Sequence, residues 1–148
     1  AGYISSFNFK LKNNDNLRIF PIIALSLKNK KKIKLFCKKE KKINLFPERD
    51  YVHVWDVVKI VWFFAKSKFK KKFVLINVGS GKSHSLMDLL VQIEKKVKKK
   101  VIYKIKELNN KELFITKANI KKLKLYHNIA PKISFSKIVN SVIRWAKI

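Results

Sequence analysis

Apolar residues recur along this chain in two rhythms: a spacing of three and four, which marks helices, and short unbroken runs, which mark strands. Phe20-Pro21-Ile22-Ile23-Ala24-Leu25-Ser26-Leu27 combines a proline suited to a first turn with helical spacing, and predicts a short helix. Ile33 to Phe36 predicts a strand, the charged stretch from Lys38 to Lys42 a loop, and Arg49 to Val54 a second strand after Pro47. Asp56 stands where it would cap a helix through Val57, Val58, Ile60, Val61 and Phe64. Phe73-Val74-Leu75-Ile76-Asn77-Val78 is a short apolar run closed by Gly79-Ser80-Gly81, the pattern of a strand buried on both faces of a parallel sheet. Ser85 and Asp88 form a capping-box pair, ahead of a helix with Leu86, Leu89, Leu90, Ile93 and Val97 on one face. Val101 to Ile105 predicts a strand, Ile120 and Leu123 a short helix, and Ser134 opens a last helix carrying Phe135, Ile138, Val139, Val142 and Trp145. No repeat or linker divides the chain, so the order of elements predicts one mixed α/β unit over residues 1–148.

Composition supports a folded chain, because 47% of its 148 residues are hydrophobic. No apolar run approaches the roughly 18–20 residues that cross a bilayer; the most apolar stretch, Val52 to Ala65, is interrupted by Asp56 and Lys59. The opening residues show no charged head followed by an apolar core, so a cytoplasmic protein with no membrane partner is expected. Cys37 is the sole cysteine, which excludes an intrachain disulfide and a multi-cysteine zinc site. The net charge of +27 attracts phosphate polymers, yet only Arg18, Arg49 and Arg144 of the 36 basic residues are arginine. Dedicated nucleic-acid readers lean on arginine for bidentate contacts. The lysine comes with abundant Ile, Asn and Phe, all residues with A/T-rich codons. The charge is therefore read mainly as a solvated surface, with weak, non-specific nucleic-acid binding as its consequence.

Gly79-Ser80-Gly81-Lys82-Ser83 invites comparison with a phosphate loop, but the glycine required five positions earlier is Ile76, inside an apolar run. The glycines are better explained as a tight strand-to-helix turn. His53, His84 and His127 lie far apart with no partner at metal-ligand spacing; His53 is expected on a strand and the other two at the surface. Asp50 and Asp56 are expected to be structural.

One segment carries a more specific signal. Arg49-Asp50-Tyr51-Val52-His53-Val54-Trp55-Asp56 resembles the Arg-Asp-Tyr-Ile/Val-His-Val-x-Asp signature of the extended short-chain dehydrogenase/reductases, the NAD-dependent epimerase/dehydratase family that acts on nucleotide sugars and includes the UDP-glucose 4-epimerases. Asn77-Val78-Gly79-Ser80-Gly81 with Ser85 resembles that family's Asn-Leu-Gly-x-Gly…Ser turn. Thr116 to Leu123 resembles its Asp-x-x-Lys-x-x-x-Leu helix, and Pro131 to Trp145 its terminal helix. Phe7-Asn8, Phe20 to Ala24 and Lys34-Leu35-Phe36 resemble upstream landmarks, so the likeness covers nearly the whole chain.

The resemblance implies a C-terminal, substrate-binding part of an extended Rossmann-type epimerase, with the strand at about 73–78, several helices, and the N-terminal dinucleotide-binding half absent. It implies substrate-binding roles for four residues: Asn8 on the sugar or diphosphate, Phe36 near the base, Arg49 as a fork on the diphosphate, and Tyr51 lining the same pocket. A strand-edge salt bridge is the competing role for Arg49. Cys37 replaces the family's glycine after Phe36, Arg18 an expected asparagine, and Thr116 the helix-capping aspartate; the second diphosphate arginine is missing between Val101 and Ile120. NAD is implied for the complete enzyme but not for this chain. Its only glycines are Gly2, Gly79 and Gly81, and no tyrosine is followed by lysine four residues on. The chain thus contains no catalytic residue of the family and is expected to be inactive without a separate N-terminal NAD-binding half as partner. The alternatives are a basic, non-enzymatic nucleic-acid-binding protein and a decayed remnant of such an enzyme.

Overall fold

Strand β1 (Ile33–Glu40) decides where the core forms. Its side chains alternate, so Ile33, Leu35 and Cys37 are buried while Lys34 and Phe36 point to solvent. It is the centre of a three-stranded sheet in a computed structural model that describes residues 19–68, 73–108, 113–126 and 129–148. On one side β1 pairs antiparallel with β2 (Ile43–Leu45) through a hairpin in which Lys41 takes a left-handed φ of 53°. On the other it pairs parallel with β5 (Tyr103–Glu107), in the register Ile33↔Tyr103 to Cys37↔Glu107. Helices α1 (Ile19–Asn29), α3 (Leu86–Val97) and α5 (Phe135–Ala146) contribute to one core with the buried face of β1. Ile23 and Leu27, Leu89, Leu90 and Ile93, and Val139 meet Ile33, Leu35 and Val101 there. Each such side chain contributes roughly 1.5–3 kcal/mol by leaving water.

The helix starts follow the expected chemistry. At α3 the Ser85 hydroxyl accepts from Asp88 N at 3.0 Å and the Asp88 carboxylate accepts from Ser85 N at 3.0 Å. At α5 Ser134 accepts from Lys137 N. Ser85→Ala should therefore lower stability by about 1 kcal/mol. A urea midpoint indistinguishable from that of the parent chain would show the box to be dispensable.

A second small sheet runs in the order β4 (His84–Ser85), β3 (Glu48–Arg49), β6 (Ile115–Thr116). Helix α2 (Val54–Lys66) follows β3, and α4 (Lys121–Lys124) follows β6. The chain is thus mixed α/β with parallel pairings, as expected, and no described helix is long and apolar enough to cross a membrane.

Several local expectations are corrected. The buried parallel strand at 73–78 does not form: the segment has no ladder partner among the described residues, and Phe73 and Leu75 are 78% and 67% exposed. A run of strand-forming residues needs a neighbouring strand to take its N–H and C=O groups, and the parallel pairings are made by β1 with β5 and β3 with β6 instead. The expected loop at 38–42 is half strand, because the lysines of β1 lie along a solvated hairpin. The strand predicted for Arg49 to Val54 stops at Arg49. His53, not Asp56, caps α2: its Nδ1 accepts from Trp55 N at 3.2 Å. Asp56 is buried in the first turn, where it accepts from Lys132 N and Ile133 N and so ties α2 to the approach to α5.

Candidate functional site

The central strand of the second sheet holds Arg49, one of the residues singled out by sequence. Arg49 sits between His84 on β4 and Thr116 on β6. Its Nη1 donates to the carbonyls of Glu48 (2.8 Å) and Phe114 (2.9 Å), which commits one terminal arm of the guanidinium to the backbone of β3 and of the residue before β6. No ion pair of Arg49 occurs among the described residues. Tyr51, just past the end of β3, lies close enough to feel the Arg49 charge. Its ring lies 5.4 Å from Phe20, edge-on, and 5.4 Å from Phe135, stacked. Phe135 in turn stacks on His84 at 3.9 Å and 6°. Burial pushes the Tyr51 hydroxyl up to about 12, with Arg49 pulling it down and Asp88 pushing it up, so the phenol is neutral at physiological pH.

Asp50 faces the other way and is a hub. Oδ1 accepts from Ser80 N (2.8 Å) and Ser80 Oγ (2.6 Å), and Oδ2 accepts from Gly81 N (2.9 Å) and Ala118 N (3.1 Å). Burial raises its pKa, but the bonds from Ser80, Ala118 and Gly81 outweigh that and hold it below the ordinary aspartate value. The glycines are shaped to this hub. A Cβ on Gly79 would strike the Ala118 methyl and lie 2.8 Å from Asp50 Oδ2. Gly81 has a φ of +71°, and a Cβ there would come 2.7 Å from Ile120 Cδ1. The amides of Ser80 and Gly81 are committed to Asp50, and that of Lys82 to Ser80 Oγ. A phosphate or dinucleotide cradle needs those N–H groups free. The amides of this turn are therefore not free to cradle a phosphate.

Two clefts border this scaffold. One of about 500 Å³ has the turn at Ser80 and Gly81 as a wall and is ringed by Lys82, Lys117, Lys121 and Lys124. The other, about 760 Å³, lies between the start of α2 and α5 and includes His53, Trp55, Ser141 and Arg144. His53 Nε2 is 3.1 Å from Ser141 Oγ, the spacing of a nucleophile and its base. The hydrogen positions exclude that use. Nδ1 already accepts from Trp55 N, so in the neutral ring Nε2 carries the proton and donates to Ser141, whose own hydroxyl donates to Lys137 O. Among the described residues no cluster of His, Cys, Asp and Glu is fit to hold a metal ion.

Of the four residues expected to bind substrate, Arg49 at the end of β3 and Tyr51 just beyond it are neighbours. Phe36 stands in the other sheet, 39% exposed and paired in register with Lys106. Asn8 lies outside the described residues, as do Arg18 and His127. None of Phe36, Arg49 and Tyr51 lines either cleft. Sequence reasoning missed His84, expected at the surface but half-buried against Phe135, and Phe135 itself, assigned to a helical stripe. Nothing local in the sequence signals them, because only the β3–β4 pairing sets His84 beside Arg49.

The sequence matches no protein-family model and no curated protein. Solved structures match it by fold. UDP-glucose 4-epimerase from Stenotrophomonas maltophila, with bound NAD and formylated UDP-arabinopyranose, superposes with a TM-score of 0.75 at 18% identity, over 93% of this chain and 41% of that one. The Bifidobacterium longum UDP-glucose 4-epimerase, in complex with NAD+ and UDP, gives 0.76 at 18% identity, over 88% of this chain and 39% of that one. The dTDP-glucose 4,6-dehydratase of Bacillus anthracis, in complex with NAD, gives 0.70 at 17% identity, over 88% and 39%. The chain has the fold of part of these enzymes. It spans about two-fifths of their length.

Proposed function

We propose that this chain is the nucleotide-sugar-binding part of an NAD-dependent epimerase or dehydratase, and that a UDP-sugar is its ligand. The fold match over 88–93% of the chain to enzymes whose structures hold NAD together with UDP or a UDP-sugar carries this reading. The Arg49-to-Asp56 signature starts in β3 and runs on into α2, with Arg49 two positions from Tyr51, and a guanidinium suits a diphosphate because it can donate two parallel hydrogen bonds. In this reading NAD chemistry resides in a complementary polypeptide that supplies the glycine loop and the Tyr-x-x-x-Lys pair, and the site is completed where that polypeptide closes over Arg49. Alone, the chain binds the nucleotide sugar without converting it and does not bind NAD; the cytoplasm is the compartment where nucleotide sugars would meet it. Calorimetric titration of the chain with UDP-glucose and UDP-glucuronic acid, against inorganic diphosphate at equal ionic strength, tests this. A saturable preference for the uridine sugars is expected, and equal affinity for all three would reduce the interaction to charge.

The +27 charge favours a second reading, a basic protein that binds nucleic acid through lysine. Counterion release makes such binding fall steeply with salt and indifferent to sequence. Fluorescence anisotropy with two unrelated oligonucleotides should show equal affinities that collapse together between 50 mM and 200 mM salt, on the order of 10³-fold or more. A sequence preference surviving the higher salt would promote this reading over the first.

A further inference from the structure

The cleft of about 500 Å³ beside the turn at Ser80 and Gly81 takes no part in the nucleotide-sugar reading, since neither Arg49 nor Tyr51 lines it. Lys82, Lys117, Lys121 and Lys124 do, and no aspartate or glutamate stands among its lining residues. The cleft between α2 and α5 is larger, at about 760 Å³, and is cut from the same lysine-rich chain, yet it gathers only Lys137 and Arg144. The ion pairs among the described residues are Lys38 with Glu40 and Lys100 with Glu94, so none of them neutralises the four ammonium groups. Asp50 anchors the turn, but its two oxygens are taken by Ser80, Gly81 and Ala118. Like charges gathered round one hollow repel each other, and a concave wall of low dielectric focuses their field on whatever enters.

The Asp50 hub also holds these cations in place. Lys82 follows the pinned Gly81 and Lys117 precedes the pinned Ala118, while Asn119 Oδ1 accepts from Lys121 N at 3.1 Å at the start of α4. The backbone carrying the lysines is thus ordered before any ligand arrives, which lowers the cost of binding. Ala118, Ile120, Ala130 and Pro131 add a carbon surface to the lining. The volume falls in the range of roughly 300–1,000 Å³ that takes a small molecule. Because the amides of the turn are committed, an anion is met here by lysine side chains, point charges that suit a chain of phosphates and need no planar fork. We propose that this cleft binds a small organic triphosphate, of the nucleoside triphosphate class. Its roughly four negative charges at neutral pH match the four lysines, and its organic part lies on the carbon surface. The site is separate from the one proposed around Arg49 and does not rest on that reading.

Calorimetric titration of the whole chain with magnesium-free ATP at physiological ionic strength tests this, and saturable binding is expected. Lys117→Gln with Lys121→Gln should weaken it at least about tenfold, because both charges stand at the cleft. Lys34→Gln with Lys104→Gln makes the same charge change on adjacent strands of the other sheet. That pair should leave ATP affinity within about twofold, since salt screens charges that are not at the site. ATP should bind more tightly than inorganic triphosphate, which lacks the organic part. A short single-stranded oligonucleotide, the other source of phosphates, should lose affinity equally with either pair, because it spreads over the basic surface. Thermal midpoints are checked against the parent, and Lys82→Gln with Lys124→Gln serves if the first pair does not fold. Equal losses of ATP affinity in the two pairs, triphosphate binding as tight as ATP, or no saturable binding would overturn the site. An oligonucleotide whose affinity falls only with the cleft pair would give the cleft to a nucleic-acid strand and overturn the small ligand. UDP-glucose titrated into the same variants keeps the two readings apart. Its affinity should be unchanged in the cleft pair; a fall there would merge the two sites and overturn this one, whereas ATP binding without UDP-glucose binding would sink only the reading around Arg49.

Discussion

Replacing Asp50 by asparagine should lower the unfolding free energy by about 3–5 kcal/mol, the worth of roughly two charge-assisted hydrogen bonds. The carboxylate accepts from Ser80 N, Ser80 Oγ, Gly81 N and Ala118 N. A carboxamide has one acceptor oxygen and must turn its NH₂ toward either the Ser80 pair or the two backbone donors of Gly81 and Ala118, leaving them unsatisfied. Helix α2 and the strand bearing Arg49 flank Asp50 in sequence, so the loss should appear in urea unfolding followed by both far-ultraviolet circular dichroism and tryptophan fluorescence. A loss below 1 kcal/mol would mean that water replaces these bonds without cost. The same hub predicts a pH dependence. The folded pKa of Asp50 is lowered, so the unfolded chain binds the proton first as pH falls, and the stabilisation is present above the ordinary aspartate value and lost below it. In Asp50→Asn that acid-side slope should flatten. Gly79→Ala should reproduce the destabilisation from the other side of the contact, because neither the Ala118 methyl nor the Asp50 carboxylate has room to move without breaking the hub.

Arg49→Ala should weaken binding of UDP-glucose by about 1.5–3 kcal/mol, or about 10–150-fold, if the guanidinium forks the diphosphate. Arg49→Lys should recover only part of this, because an ammonium is a point charge and cannot match a diphosphate bidentately. Nη1 also donates to two carbonyls across β3 and β6, so both variants should lose about 1–2 kcal/mol of stability as well. The two roles are separated by reading affinity and thermal midpoint on the same samples. Loss of stability in both variants with affinity retained would make Arg49 a strand clamp and remove it from the binding site.

The sequence by itself determined the helices and most of their ends. The stripes of α1, α3 and α5 are set by spacing, and Ser85 with Asp88 and Ser134 act on backbone atoms within three residues, so these features are local and legible. The short strand expected at Ile33 to Phe36 and the order of elements were sufficient for the α/β class. The signature from Arg49 to Asp56 runs from the end of β3 into the first turn of α2. Tertiary structure decided what each of its residues does, because hydrogen bonds and strand pairs join positions far apart in sequence. Asp50 reaches Ser80 and Ala118, Arg49 reaches Phe114, and Asp56 leaves its own helix for Lys132 and Ile133. His84 joined Arg49 only through the register of β3 with β4. The run at 73–78 shows the limit most clearly. Its residues state a strong preference for a strand, but a strand is a property of two chains of backbone, and no described residue provides the second.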